Sequence, residues 1–183
     1  TKTAAGSDLS SFDALQGGET LTLSGSGTVG DENVANGQGI TLGTLALVDG
    51  TGLASNYSLN SASLNITQKT VNLSGSKIYE ANTTFDNSIV NISSGLIGSE
   101  TLNLTGVVNT NSANVNTYSA SGGTLNGGST SIALADGTNG GLASNYTIND
   151  GVFTITKKTI SVSGARLYDA TTDAVASDLT TIS

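Results

Sequence analysis

NYSLNSASLNITQKTVNLSGSKIYEANT (56–83) and NYTINDGVFTITKKTISVSGARLYDATT (145–172) are two versions of one text. With the GLAS that precedes each, residues 52–83 align with 141–172 at a constant spacing of 89, without a gap, and 16 of the 32 pairs are identical. Upstream, GETLTLSG (18–25) matches SETLNLTG (99–106) at a spacing of 81. The opening TKTAAGSDLSSF (1–12) matches TTDAVASDLTTI (171–182) at 170, which is the other two spacings combined. Self-similarity of this size marks a tandem array and decides the architecture before any local reading.

Within each repeat the apolar residues alternate in short runs. The first repeat gives Leu21/Leu23, Ile40/Leu42, Leu45/Leu47, Tyr57/Leu59, Leu64/Ile66 and Val71/Leu73, and the second gives Leu102/Leu104, Ile132/Leu134, Tyr146/Ile148, Phe153/Ile155 and Ile160/Val162. Gly, Asn, Asp and Ser clusters bound these runs and favour turns. Roughly seven strands per repeat, about 8–12 residues apart, fit a sandwich or a small barrel-like fold. The expectation is an all-β chain of tandem small β-sandwich domains, Ig-like or β-grasp-like, in a rod-like array. Residues 1–68 form a first repeat lacking its first strand, 69–157 a complete second repeat, and 158–183 the start of a third. The runs 64–75 and 153–164 contain no Pro or Gly/Ser spacer, so neighbouring domains should be held stiffly. Residues 7–18 carry the one helical signal, a Ser/Asp start and a Gly stop enclosing Leu9, Phe12 and Leu15. The extra residues within 107–130 of the second repeat predict surface loops or a longer hairpin, since a core strand could not absorb them without a register shift.

Gly, Ser, Thr and Asn make up just over half of the 183 residues, yet the alternating apolar runs argue against disorder. There is no Cys and no His, so disulfides, thiolate metal sites and His-dependent triads are excluded. A formal charge of −8 with six Lys and Arg disfavours nucleic acid. No apolar run is long enough to insert this segment into a membrane as a helix. The absence of Met suggests a fragment or a processed product.

KIYEANTTF (77–85) and RLYDATTDA (166–174) resemble the YDG repeat of bacterial surface proteins, in which Lys or Arg, any residue, Tyr, Asp and Gly are followed by Thr-Thr. The family's Asn-Tyr followed by alternation into a Thr-Lys boundary is matched by SNYSL…ITQKT and SNYTI…ITKKT. Ala81 and Ala170 stand where the motif has Gly, and Glu80 replaces Asp in one copy. A turn at positive φ would strain an alanine, so a turn type that tolerates Ala is expected. The resemblance implies secretion by Gram-negative bacteria, within large adhesins similar to filamentous haemagglutinins, and a stalk or adhesive role at the cell surface.

No pair of carboxylates sits in a context that would shift a pKa, and no enzyme and no cofactor are expected. Asp31, Glu32, Asp49 and Asp136 offer hard oxygen ligands for calcium. The alternating Asp/Asn loop with a bidentate Glu is absent, however, and Asp-Gly reads as a plain turn signal. Tyr57, Tyr79, Tyr146 and Tyr168, with Asn56 and Asn145 of the Asn-Tyr pairs, are structural motif residues. Each tyrosine is expected to bury its ring and bond its hydroxyl to backbone, in preference to offering a glycan platform. The expected partners are neighbouring repeats, or identical subunits joined head to tail, with host or matrix glycan as the alternative. The segment 158–183 contains the kind of strand the first repeat lacks. One long polypeptide is the favoured reading, and a subunit whose tail completes the next subunit is the other.

Overall fold

The structure, a computed structural model, describes residues 3–9, 12, 15–121, 124–125, 128–179 and 181–182. It is all-β. The described strands are β1 Thr3–Ala5, β2 Leu21–Ser24, β3 Ser26–Val29, β4 Ala35–Thr41, β5 Ala46–Asp49, β6 Ser63–Ile66, β7 Lys69–Ile78, β8 Thr84–Asp86, β9 Val90–Ser94, β10 Leu102–Thr105, β11 Val107–Asn109, β12 Asn116–Ser121, β13 Thr124–Leu125, β14 Ser129–Thr130, β15 Ala133–Asp136, β16 Tyr146–Thr156, β17 Val162–Ser163 and β18 Thr181–Ile182. The described helix is confined to single 3₁₀ turns at Gly6–Asp8, Ala54–Asn56, Ala143–Asn145 and Ala176–Asp178. The helical signal over 7–18 yields only the first of these, and residues 10, 11, 13 and 14 lie outside the described residues.

The chain divides into two compact units by packing. Unit 1 contains Thr1–Val71, Gly95–Asn103 and Leu134–Thr147, and unit 2 contains Asn72–Ser94, Leu104–Ala133 and Ile148–Ser183. In unit 1, β1, β3, β4 and β6 form one sheet in that order, and β2 pairs with β5. Ala4, Val29, Ile40 and Leu45 are its buried core, packed by Leu42, Leu59, Leu64 and Ile66. In unit 2 a five-stranded sheet runs β13-β12-β16-β7-β9, beside a sheet β14-β11-β8. Its core is larger: Leu73, Phe85, Val90, Val108, Phe153 and Ile155 are buried, and the Phe85 and Phe153 rings meet edge to face at 5.4 Å.

The sequence repeat is also a repeat of register. Thr3 lies opposite Thr28 and Ala4 opposite Gly27. The residues 81 positions later, Thr84 with Asn109 and Phe85 with Val108, lie opposite each other in the same way. Ala35 faces Ile66 across β4 and β6, as Asn116 faces Ile155 across β12 and β16. The extra residues of the second repeat add β13, which pairs antiparallel with β12, so that of the surface loops or hairpin expected of them a hairpin is formed. Between them, residues 122 and 123 lie outside the described residues.

Candidate functional site

The two Asn-Tyr motifs build the same corner. A 3₁₀ turn precedes each tyrosine, and an upstream aspartate holds its first N–H. Asp49 Oδ1 accepts from Ala54 N–H at 2.6 Å, and Asp136 Oδ1 accepts from Ala143 N–H at 2.8 Å. The Tyr57 hydroxyl then donates to Glu19 Oε2 at 2.6 Å and accepts from Gln16 N–H at 3.2 Å. The Tyr146 hydroxyl donates to Glu100 and accepts from Ile97 N–H at 3.3 Å. The Tyr57 pKa is raised, first by the bond to Glu19, and the Tyr146 pKa is raised, first by burial and then by Glu100. A neutral phenol donating to a carboxylate is a structural clasp. The glutamates were legible in the sequence, since Glu19 and Glu100 are the acids of the GETL and SETL echo.

The YDG-like turns share a backbone form, although their Asx bonds start from non-equivalent residues, Asn82 after Ala81 and Asp169 before Ala170. Asn82 Oδ1 accepts from Thr84 N–H at 3.1 Å, and Asp169 Oδ1 accepts from Thr171 N–H at 3.0 Å. Ala81 has φ 57° and Ala170 φ 58°, so the positive-φ turn is kept despite the missing glycine. The expectation of an alanine-tolerant turn is thereby corrected: in both copies the basic residue of the motif bonds the carbonyls that follow the alanine and holds the turn with alanine in the left-handed region. The Lys77 ammonium donates to the carbonyls of Asn82 at 3.0 Å and Thr84 at 2.7 Å, and also to Asn82 Oδ1. It lies 5.0 Å from the centre of the Phe85 ring, and desolvation draws its pKa down. Its three donors all have acceptors, which makes it a turn anchor rather than a nucleophile. Arg166 repeats the arrangement on the carbonyls of Thr171, at 2.6 Å, and Asp173.

The remaining motif residues fall in three settings. Tyr146 is buried, whereas Tyr79 and Tyr168 are 37 % and 93 % exposed. The buried-ring expectation fails for Tyr79, which follows the end of β7 at Ile78, and for Tyr168, which lies outside any strand in an exposed run. Asn145 Nδ2 donates to Asn33 Oδ1 at 2.7 Å and its Oδ1 accepts from Val34 N–H at 2.9 Å, within unit 1. Gln68 adds bonds to the carbonyls of Ser144 and Tyr146 at 3.1 and 3.2 Å. Asn56 is exposed beside Tyr57. Of the calcium candidates, Asp31 closes an Asx turn on Asn33 N–H at 3.1 Å, Asp49 and Asp136 anchor the 3₁₀ turns, and Glu32 is exposed. Among the described residues no group of three or more acidic side chains is placed to hold a metal.

Unit 1 also carries an open slot of about 710 Å³. It is lined by Leu9, Phe12 and Leu15, by the run 57–65, and by Leu21 and Leu23. Comparison with protein-family models, curated proteins and solved structures gives no match to this chain.

Proposed function

We propose that the chain is a non-enzymatic segment of an extracellular bacterial surface adhesin, in which tandem β-sandwich domains act as a stalk. The observation that carries this reading is what recurs between the repeats. Strand registers, the tyrosine–glutamate clasp and the cationic turn anchor all recur, and every one of them holds backbone in place. Duplication of scaffold parts is what a spacer needs, since each repeat must present the same ends to its neighbours. The resemblance of 77–85 and 166–174 to YDG repeats supports the surface location, and the lack of a flexible spacer supports stiffness.

The location is tested on the source cells. Antibodies raised against the chain should label intact bacteria and lose that label after brief external protease treatment. Labelling that appears only after lysis would overturn the reading.

A further inference from the structure

The corner of the second Asn-Tyr motif belongs by sequence to the second repeat and by packing to the first. Unit 1 takes in 95–103 and 134–147 together with the first repeat.

The two Asn-Tyr corners have the same backbone. Leu53 (φ −90°, ψ 122°) and Leu142 (φ −104°, ψ 124°) enter the 3₁₀ turns, and Tyr57 (φ −130°, ψ 156°) and Tyr146 (φ −130°, ψ 155°) leave them. In each turn the asparagine N–H donates to that leucine carbonyl, at 3.1 Å for Asn56 and 3.0 Å for Asn145. The asparagine side chains differ. Asn145 uses both ends of its carboxamide on residues 111 and 112 positions away, Val34 N–H and Asn33 Oδ1, in a partly buried setting. Asn56 makes the same turn, and among the described residues its carboxamide bonds to none. The carboxamide is therefore not what closes the corner. Asp136 caps the turn and Glu100 clasps the tyrosine without it.

The loop that receives Asn145 is held still by its own bonds. Asp31 Oδ1 accepts from Asn33 N–H at 3.1 Å and from Asn33 Nδ2 at 2.8 Å. Gln38 Nε2 donates to the Asn33 carbonyl at 3.0 Å, and its Oε1 accepts from Asp31 N–H at 3.3 Å. These bonds leave Asn33 Oδ1 and Val34 N–H as one acceptor and one donor, which a single carboxamide matches. A second grip comes from Gln68, between β6 and β7, which donates to the Ser144 and Tyr146 carbonyls. Both halves recur in the sequence. Asn33-Val34 returns as Asn114-Val115 at the spacing of 81, with Ser112 Oγ accepting from Asn114 N–H at 3.2 Å as Asp31 does from Asn33. Asn145 is the twin of Asn56 at the spacing of 89.

We propose that Asn145 is the coupling residue between repeats: seated on Asn33 and Val34, and helped by Gln68, it docks the second repeat on the first. The loop 31–38 is then a docking surface whose partner is the Asn-Tyr corner of the repeat that follows. Two bonds from one planar amide fix orientation as well as distance, and partial burial limits competition from water. An array of small repeats depends on such nearest-neighbour terms for its stability. The inference names the partner of the proposed stalk domain and rests on that reading for its purpose alone. Surface labelling of the source cells tests the stalk, and the joint can fail without altering that result.

The test uses the full 183-residue chain, which has no cysteine and accepts spin labels at Thr22→Cys and Ser99→Cys. Both positions are exposed, one in the first repeat and one in the second, and both lie in unit 1. Double electron–electron resonance should give one narrow distance distribution. Asn145→Ala should broaden it, and the Val34 amide should exchange about tenfold faster or more in NMR. Asn33→Ala should broaden it from the other side of the joint, and Asn56→Ala should leave it unchanged. The alkaline titration of Tyr146 should be the same in Asn145→Ala, because the clasp on Glu100 stays closed. A distribution already broad in the parent chain, or one equally narrow in Asn145→Ala and Asn33→Ala, would overturn the proposal. So would broadening by Asn56→Ala, or an altered Tyr146 titration in Asn145→Ala, since the carboxamide would then serve the corner itself.

Discussion

At the scale of single residues, the repeat shows where backbone geometry outweighs side-chain identity. Ala81 and Ala170 occupy the left-handed region, which costs an L-residue about 1–2 kcal/mol. Glycine removes that strain while losing part of the gain to unfolded-state entropy. Ala81→Gly should therefore raise stability by roughly 0.5–1 kcal/mol in urea denaturation. Gly106 is the opposite case. Its φ is +84°, and a Cβ would stand 2.3 Å from the Ser131 carbonyl oxygen. Gly106→Ala should cost roughly 2 kcal/mol or more, read from the same transition. Tyr146→Phe deletes the hydroxyl that donates to Glu100 and leaves Ile97 N–H without its acceptor, at a cost of about 1–3 kcal/mol. Because the folded Tyr146 pKa lies above the ordinary tyrosine value of about 10, its contribution is complete below that value and is lost as pH rises through the folded one. The phenylalanine variant should flatten this alkaline loss of stability.

At the scale of elements, periodicity reports which face of a strand is apolar and is silent about who pairs with it. Tyr57/Leu59 and Tyr146/Ile148 alternate alike. Yet 146–151 open an eleven-residue strand flanked by β12 and β7, whereas 57–62 belong to no strand. The difference lies in the neighbours, which no local pattern encodes. Val162 is a similar case: its text matches a core position, and its surroundings leave it half exposed. The all-β class and the turn clusters were legible because each is written in local alternation and breakers, whereas the insertion read equally as surface loops or a longer hairpin. The burial of Lys77 was not, because its solvation is replaced by three carbonyl and amide oxygens that converge only once the turn has formed. The tyrosine clasps were half legible, since the repeat flagged the tyrosines and their glutamates but not their contact. The cores also differ in a way that sequence spacing makes explicit. Ala4 and Leu64 of unit 1 stand where Phe85 and Phe153 of unit 2 make their edge-to-face pair. Phe153→Ala should remove about 3–5 kcal/mol from unit 2, seen by calorimetry as one component melting earlier while the other keeps its midpoint.

At the scale of the whole molecule, the repeat of registers, clasps and turn anchors is what supports the proposed spacer role. A chain with a formal charge of −8 and few aromatics is kept soluble by repulsion and held together by backbone ladders and small cores. The claim that each two-repeat period adds a fixed increment of stiff length can be measured directly. Concatemers of residues 1–170, joined without a linker in one, two and four copies, should appear in electron micrographs as unbranched rods whose length grows in proportion to copy number. A length that stays constant, or grows only as the cube root of mass as in a collapsing globule, would contradict the account.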